Sequence, residues 1–196
     1  MLFARIWFTV MRRKAVTCLT EPLFFDTDCL SAFLWVNDQS LLSQLYPGRI
    51  VIPQAVYTEL SNPKITHLKA RVDALLSDHS AKVESIEMNT PEYELYRKLT
   101  SKPDPGHVII GNGEAAAIAL AKEQGGILAS NNLKDVAAYV EEFGLQHITT
   151  GEILKEALEK GLITKDIGNQ LWQDMLRKRR KLGYPSFANY LEANKE

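Results

Sequence analysis

Short apolar runs alternate with longer segments of helical periodicity along most of the chain. The first run, residues 23–25, is Leu-Phe-Phe and ends at Asp26, as expected for a central strand buried on both faces. Further strands are predicted at residues 50–52, 82–86, 127–129 and 146–148. Because helical segments separate these strands, the order of elements predicts a parallel sheet with helices on both faces.

The predicted helices are bounded by recognisable start and stop signals. Asp28 is expected to cap the first helix, and Pro53 to open the helix after the second strand. Residues 115–121 form an alanine-rich run behind Glu114, and such small side chains predict a buried helix that neighbours approach closely. Other helices are predicted at residues 40–46, 66–76, 91–99 and 150–160 and in the tail. A further helix is predicted to follow Asn132 and to end at about residue 143, and residues 101–112 are predicted to form a loop.

The chain length favours one domain with terminal additions. Its 196 residues, 45% of them hydrophobic, suffice for one well-buried core. We expect the domain to span residues 22–160, between an N-terminal extension of residues 1–21 and a helical C-terminal extension of residues 161–196 that packs on it. The predicted fold class is α/β, a three-layer α/β/α sandwich with a central parallel sheet of four to five strands.

The N-terminus is apolar and aromatic over residues 1–10 and basic over residues 12–14. A secretory signal would carry its positive charges first, and the apolar stretch is too short to span a bilayer. We expect a frayed or partner-bound extension, no membrane partner and a cytoplasmic location; a start at Met11 is the alternative. Cys18 and Cys29 lie in apolar surroundings without metal-ligand spacing, which fits a reducing compartment and no disulfide.

Polar residues that can carry chemistry follow the predicted strands. Asp26 ends the first strand, Glu59 lies in the helix after the second, and Glu114 begins the alanine-rich helix. Asn132 and Asp135 follow the strand after that helix. In open α/β sheets ligands bind beyond the carboxyl ends of the strands, so these side chains should meet there. Gathered carboxylates repel one another unless a cation joins them, and oxygen ligands without histidine or thiolate favour Mg²⁺ or Mn²⁺.

Four motifs in the chain, taken in order, resemble those of the PIN domain. They read FDTD at residues 25–28, IPQAVYTEL at 52–60, GEAAAI at 113–118 and ILASNN at 127–132. The PIN domain is a family of small metal-dependent ribonucleases that includes the toxins of VapBC toxin–antitoxin modules. No single motif is specific, but together they extend the resemblance from about Leu23 to the C-terminus.

The resemblance implies an activity, a cofactor and a set of site residues. The activity would be Mg²⁺- or Mn²⁺-dependent hydrolysis of RNA phosphodiester bonds. The partners would be RNA, an antitoxin protein if the chain is a toxin, and a second copy in a homodimer. Asp26, Glu59 and Glu114 would be the catalytic residues that bind the metal or orient water, held by hydrogen bonds from Thr27 or Ser130.

The fourth motif departs from the family pattern. The family usually has an aspartate where this chain has Asn132, which keeps a carbonyl oxygen but lacks the charge. Asp135 lies one turn further along the helix and is the candidate to replace it as a catalytic residue and metal ligand. Without that replacement, the metal would be bound more weakly and cleavage would be slower. Asp28 is interpreted as a helix cap and not as a ligand.

One run of basic residues near the C-terminus is the candidate RNA contact. The formal net charge of -1 gives no overall basic field, so contact with nucleic acid needs a local patch. On a helix, the run would spread positive charge around most of the circumference and engage RNA phosphates. It consists of Arg177, Lys178, Arg179, Arg180 and Lys181.

Two other functions stay open at this point. A catalytically weakened PIN-like module would bind RNA or a protein without turnover, and Asn132 favours it. A phosphatase-like hydrolase with an aspartyl nucleophile is suggested by Asp26 and Asp28, although the third motif counts against it. The four histidines lack ligand spacing and are predicted to be surface or loop residues, so none is assigned as a general base.

Overall fold

The computed structural model of the protein describes residues 21–195, and this part of the chain is built around one parallel sheet. The strands are β1 (Leu23–Phe25), β2 (Ile50–Pro53), β3 (Ala81–Glu84), β4 (Ile127–Ala129) and β5 (Gln146–Ile148). They lie in the order β3-β2-β1-β4-β5, and every neighbouring pair is parallel. With helices on both faces, the predicted three-layer α/β/α class is confirmed.

Helices connect the strands and continue after the last of them. In the described residues they are α1 (Thr27–Trp35), α2 (Ser40–Leu45), α3 (Gln54–Leu60), α4 (Thr66–Ser77), α5 (Pro91–Ser101), α6 (Asn112–Gln124), α7 (Leu133–Phe143), α8 (Thr150–Glu159), α9 (Lys165–Arg177) and α10 (Phe187–Ala193). A 3-10 turn, Pro63–Ile65, precedes α4. None of these helices is long and apolar enough to cross a membrane.

The core is divided into two layers by the alternation of side chains along each strand. Leu23 and Phe25 of β1 pack with apolar residues of α1, α3, α4, α8, α9 and α10 on one face. Phe24 packs on the other face, with residues of α5, α6 and α7. The alanine-rich helix α6 is buried as predicted, and its small side chains let its backbone lie close to the sheet.

The start of α1 differs from the prediction. Asp26, and not Asp28, is the N-cap residue: its Oδ1 accepts a hydrogen bond of 2.7 Å from the backbone N–H of Cys29. The helix therefore begins directly at the end of β1, which leaves Asp28 inside the first turn with its side chain free for another partner. The short connection fixes the Asp26 carboxylate at the tip of the central strand.

Only Arg177 of the basic run is helical, so the expectation of a helix through the whole run is wrong. Helix α9 ends at Arg177, and Arg179 adopts a left-handed backbone with a φ of 60°. The Arg180 N–H donates to the Met175 carbonyl and the Arg179 N–H to the Leu176 carbonyl, which is the hydrogen-bond pattern of a Schellman motif. The chain turns there and continues in irregular backbone from residue 178 to residue 186, a segment that we name the strap.

Helices α9 and α10 share the core of the domain. Trp172 and Phe187 are fully buried, and their rings lie 5.9 Å apart. Gly168 lets Phe187 approach, since a Cβ at this position would lie 2.5 Å from the Phe187 ring. The C-terminal helices thus pack on the sheet side that carries α1. The expected division at residue 160 stays a prediction.

Two expectations about the N-terminal region fall largely outside residues 21–195. They concern the extension of residues 1–21, of which only Glu21 is described, and the thiol of Cys18, which lies outside the described residues. Cys29 is a free, buried thiol.

Replacement of Phe187 by alanine tests how far the C-terminal helices stabilise the domain. We expect Phe187→Ala to lower the free energy of unfolding by about 3–5 kcal/mol, because a fully buried aromatic side chain is lost from a packed core. The exposed Glu192→Ala, on the same helix, should change it by less than about 0.5 kcal/mol. Urea denaturation followed by circular dichroism measures both, and equal losses would contradict this account.

Candidate active site

The carboxyl ends of β1, β2 and β4 open onto one acidic region, and Asp26 lies at its base. This aspartate is fully buried, between the strand tip and the first turn of α1. Its Oδ1 is bound by the Cys29 N–H, whereas Oδ2 is buried and has no hydrogen-bond partner among the described residues. An unpartnered carboxylate oxygen in an apolar core is costly, so a polar or cationic partner is expected at Oδ2.

The pKa of Asp26 reflects this position. Burial raises it from its usual value to about 7, and the nearby hydroxyl of Ser130 and the Cys29 N–H only partly oppose the rise. The negative charges of Asp28 and Glu114 add to it. Both of these side chains are therefore close enough to Asp26 to repel its charged form.

Glu59 joins three elements at the same edge of the sheet. It lies in the last turn of α3, where its Oε2 accepts a 2.5 Å hydrogen bond from the Thr27 hydroxyl and its Oε1 accepts a 3.0 Å bond from the Gly113 N–H. Gly113 has to be glycine for this contact, since a Cβ there would lie 2.6 Å from the Thr27 Oγ1. Glu59 thus ties α3 to α1, directly beside Asp26, and to α6, directly beside Glu114.

Glu114 and Asp135 are linked by the side-chain amide of Asn132. The Asn132 Nδ2 donates a 2.6 Å hydrogen bond to Glu114 Oε1 and a 2.7 Å bond to Asp135 Oδ2. Glu114 Oε2 accepts a further bond of 3.1 Å from the Gly111 N–H. The amide therefore stands between two carboxylates as a neutral double donor, where an aspartate would add a third negative charge.

These hydrogen bonds keep the carboxylates apart from one another. Within residues 21–195 no three Asp, Glu, His or Cys side chains are grouped closely enough to hold a metal ion as they stand. Every carboxylate oxygen of Asp26, Glu59 and Glu114 except Asp26 Oδ2 accepts a protein hydrogen bond. These donors partly offset the crowded negative charge.

A concave surface, which we name the acidic groove, covers this edge of the sheet. It comprises two adjoining depressions of about 240 Å³ each. They share Asp28, Glu114 and Arg180, and one also contains Glu59 while the other contains Asn132. Asp26 is buried beneath the groove and does not line it.

The five basic residues of the C-terminal run separate into two groups. Arg179, Arg180 and Lys181 of the strap line the acidic groove. Arg177 and Lys178 instead line a different depression, beside Trp35. The Schellman turn at Arg179 causes this separation, because it redirects the chain across the carboxyl edge of the sheet.

Arg180 is the basic residue that enters the groove. Its Nη1 lies 3.3 Å from Asp28 Oδ1 and 3.2 Å from the Ser31 Oγ, and its side chain is only 23% exposed. Asp28, which is not the helix cap, is its counter-ion. A third contact, from the Arg180 Nε–H to the Lys178 carbonyl at 3.1 Å, also fixes the guanidinium beside the carboxylates, and the Nη2 group is left to contact a ligand.

Comparison with known proteins agrees with this architecture. A sequence model of the family described as PIN domain matches residues 23–195, nearly the whole described part of the chain. The chain therefore belongs to the PIN domain family, and the resemblance noted from its four motifs is confirmed. No curated protein sequence matches it.

A solved structure with a similar fold is the crystal structure of VapBC2 from Rickettsia felis bound to a DNA fragment from the promoter. The likeness covers 65% of this chain and 97% of that chain, at 18% sequence identity and a TM-score of 0.45.

The structure brings the predicted site residues to one edge of the sheet, although not into one cluster. Glu59 is hydrogen-bonded to the residue directly after Asp26 and to the residue directly before Glu114. The charge of Glu114 acts on Asp26, and Asn132 links Glu114 to Asp135. That these five are catalytic, and that four of them bind metal, stays a prediction. Sequence reasoning did not anticipate the backbone donors of Gly111 and Gly113; their spacing ahead of Glu114 was the available signal.

The Asn132 amide offers a test of the charge balance in this network. In Asn132→Asp the new carboxylate would face Glu114 and Asp135 without donating to them, so we expect the free energy of unfolding to fall by about 1–3 kcal/mol at pH 7. The neighbouring charges would raise the pKa of the new carboxyl above its unfolded value. The loss should therefore shrink as the pH falls through the folded pKa and the carboxyl becomes protonated.

Asn132→Ala is the matched control, because it removes the same two hydrogen bonds without adding a charge. Between about pH 4 and 7 its loss of stability should change less with pH than that of Asn132→Asp, because it adds no titrating group. Urea denaturation at several pH values measures both variants in metal-free buffer. Parallel pH profiles for the two would show that charge repulsion at this position is negligible.

Proposed function

We propose that this protein is a divalent-metal-dependent endoribonuclease that hydrolyses RNA phosphodiester bonds with Mg²⁺ or Mn²⁺. The observation that carries the proposal is the unpartnered, buried Oδ2 of Asp26 beside the charge of Glu114. Membership of the PIN domain family, whose resemblance implied a metal-dependent ribonuclease, supports the same reading. The arginine on the rim of the groove supports an anionic substrate.

The residues present fit a hard divalent cation in their chemistry. The donors around the groove are carboxylate and amide oxygens, which suit Mg²⁺ and Mn²⁺ better than zinc. Asp26 offers a buried oxygen that no group among the described residues satisfies, and the charges of Asp28 and Glu114 both act on it. Glu59 and Asp135 would complete the set of metal ligands if each gave up one of its present hydrogen bonds to bind the cation.

Each residue of the site then has a distinct task. Asp26, which is immobile, defines the position of the metal site, and Glu114 and Asp135 supply further charge from α6 and α7. Glu59, whose two oxygens accept hydrogen bonds from Thr27 and Gly113, would give up one of them to bind the cation or to orient the attacking water. Bound there, a divalent cation would supply the charge that lowers the pKa of water and offsets the negative phosphate.

The basic residues of the strap account for substrate binding in this proposal. Arg180 stands next to Asp28 and the carboxylates with its guanidinium fixed, so it can bind a phosphate oxygen beside the bond to be cut. Arg179 and Lys181 extend the positive charge along the groove. Arg177 and Lys178 lie outside the groove, and we withdraw them from the RNA-contacting set.

Removal of the Asp26 charge tests the metal-dependent reaction. We expect Asp26→Asn to lower the cleavage rate of single-stranded RNA by more than about 100-fold, because even outer residues of metal sites typically contribute 10–100-fold. EDTA should abolish wild-type cleavage, and added Mn²⁺ should restore it. Asp78→Asn is the matched control, since Asp78 is an exposed aspartate that precedes β3 and therefore lies at the amino ends of the strands, away from the acidic groove.

Binding of Mn²⁺ provides a readout independent of cleavage. Isothermal titration calorimetry should show Mn²⁺ binding to the wild type and to Asp78→Asn, and none to Asp26→Asn at the same concentration. Chelator-resistant cleavage, or full activity of Asp26→Asn with retained Mn²⁺ binding, would overturn the proposed chemistry.

The two groups of basic residues can be compared directly. In a Glu114→Gln background that prevents cleavage, Arg180→Ala should weaken single-stranded RNA binding about tenfold. It should also reduce the slope of log K against log salt by about 0.7, the value for one phosphate contact to a single strand. Arg177→Ala should leave both quantities unchanged, because Arg177 faces the other depression and pairs with Asp174. Fluorescence anisotropy at several KCl concentrations measures this, and equal effects would contradict the assignment.

A protein partner is part of the proposal. If the enzyme is the toxin of a toxin–antitoxin module, its antitoxin would inhibit it by filling the acidic groove with a polypeptide segment, and the active form would be a homodimer in the cytoplasm. The groove's mixture of carboxylates and arginines suits a segment that carries both signs of charge. Co-expression with the neighbouring gene product, followed by size-exclusion chromatography, tests the assembly.

A second candidate function is a PIN-domain module that binds RNA or a protein without cutting. The observation in its favour is the Asn132 amide, which replaces a charge and holds Glu114 and Asp135 as they are. This function requires RNA retention without turnover in Mn²⁺, and unchanged RNA affinity after Glu114→Gln. The cleavage assay described for Asp26 separates the two candidates.

A further inference from the structure

A second cavity lies beside the acidic groove, on the side of β4 and β5. Its volume is about 290 Å³, and the strap forms one of its walls. Asn131 and Lys181 line both this cavity and the groove, so the two adjoin. We name it the tyrosine cavity after Tyr184 and Tyr190, which both line it.

The cavity has apolar surfaces that are exposed to solvent. Leu133, at the start of α7, is 50% exposed, and Tyr184 of the strap is 36% exposed. The Tyr184 ring packs edge-to-face on Tyr190, with ring centroids 5.5 Å apart and an interplanar angle of 81°. Tyr190 itself is nearly buried, because Gly151 leaves space for its ring. One planar aromatic surface is therefore fixed in place and only partly covered.

Side chains of α9 hold the strap in place at Tyr184 by hydrogen bonds to its backbone. The indole N–H of Trp172 donates a 2.9 Å hydrogen bond to the Tyr184 carbonyl, and the Gln173 side chain donates a 2.7 Å bond to the Pro185 carbonyl. Trp172 is fully buried, so this anchor belongs to the core of the domain. A ring positioned in this way loses little conformational entropy when a planar group stacks on it.

The polar atoms of the cavity suit a heterocyclic ring. His147 was expected on the surface or in a loop, but it lies in β5, half-buried, with its Nε2 2.8 Å from the Ser130 carbonyl. Burial lowers the pKa of His147, so the neutral ring donates its Nε2–H to that carbonyl and keeps Nδ1 as an acceptor. The ammonium of Lys181 stands at the junction with the groove.

From these features we propose that the tyrosine cavity binds one unpaired nucleobase of the RNA strand whose phosphate lies in the acidic groove. The inference rests on the proposed ribonuclease function. Aromatic stacking beside a basic track is the usual way in which proteins bind single-stranded nucleic acid. The volume lies just below the roughly 300–1,000 Å³ typical of drug-sized ligand sites, which fits one ring system rather than a duplex.

One acid, Glu152, and one base, Lys181, line the cavity itself, so the preference for an RNA strand over a protein segment comes from the basic residues where the cavity meets the groove. The connection to the groove passes Arg179, Arg180 and Lys181, three cations in sequence that suit consecutive phosphates. Because the base and its phosphate belong to one strand, the cavity would recognise a nucleotide at a fixed distance from the cleaved bond. The enzyme would therefore require an unstacked base at that position, and double-stranded RNA would be a poor substrate.

An abasic scan tests the inference. A short RNA that the wild type cuts at one bond is prepared as a series in which each base in turn is removed, and binding is measured by fluorescence anisotropy in a Glu114→Gln background. We expect one position near the cut bond at which base removal weakens binding about tenfold, as for the loss of one stacked base. Tyr184→Ala should weaken binding of the intact RNA by a similar factor and cause no further loss with that abasic RNA.

Two further variants guard against a folding defect. Tyr184→Phe keeps the ring and should bind like the background protein, whereas Leu133→Ser, at an exposed position, should weaken binding at the same abasic-sensitive position. Melting temperatures of all variants are compared by circular dichroism. Tyr93→Ala, an aromatic substitution on α5 and outside the cavity, is the matched control and should have no effect on RNA binding.

The outcomes separate this inference from the proposed function. Cleavage or tight binding of RNA without any abasic-sensitive position, or with one that Tyr184→Ala leaves unchanged, overturns the nucleobase site and leaves the nuclease intact. A duplex cut as fast as the single strand overturns it as well. Absence of RNA binding and cleavage in the wild type overturns both proposals together.

Discussion

The buried carboxylate of Asp26 is the constraint on which the rest of the site depends. It caps α1 through the Cys29 N–H, which forces the helix to begin directly after the central strand. That abrupt start places Thr27 where its hydroxyl holds Glu59, and it leaves Asp28 to face Arg180. Its other oxygen, Oδ2, then remains without a hydrogen-bond partner among residues 21–195. The local geometry of the helix start and the electrostatics of the groove therefore have one origin.

Much of the fold follows from the sequence because its signals are local and consistent. Residues 23–25, 127–129 and 146–148 were predicted as strands with the bounds that the structure has. The predicted alanine-rich helix is present, and the sheet has five strands, within the predicted four to five. Period-two burial and the placement of turn residues are properties of neighbouring positions, so a pattern in one stretch of chain is enough to identify them.

The predictions from sequence were wrong or incomplete where the local structure depends on a contact that is not visible in the neighbouring residues. Asp28 was chosen as the helix cap because it precedes the apolar stripe, but the actual cap, Asp26, depends on how closely α1 follows β1. The basic run was read as helix, and a left-handed residue at Arg179 ends the helix without a glycine to signal it. The hydrogen bonds of Asn132 to two carboxylates could not be predicted, because they join side chains whose proximity exists only after folding.

The turn at Arg179 gives the C-terminal segment its importance for the site. Had α9 continued through the basic run, Arg180 would have stayed on the helix and not beside Asp28. Instead the strap crosses the carboxyl edge of the sheet, and buried Trp172 anchors it beyond the groove. The same short segment thus places a cation among the carboxylates and an aromatic ring beside them. The proposed substrate binding would consequently be coupled to the packing of α9 and α10, since these helices support the strap as well as the core.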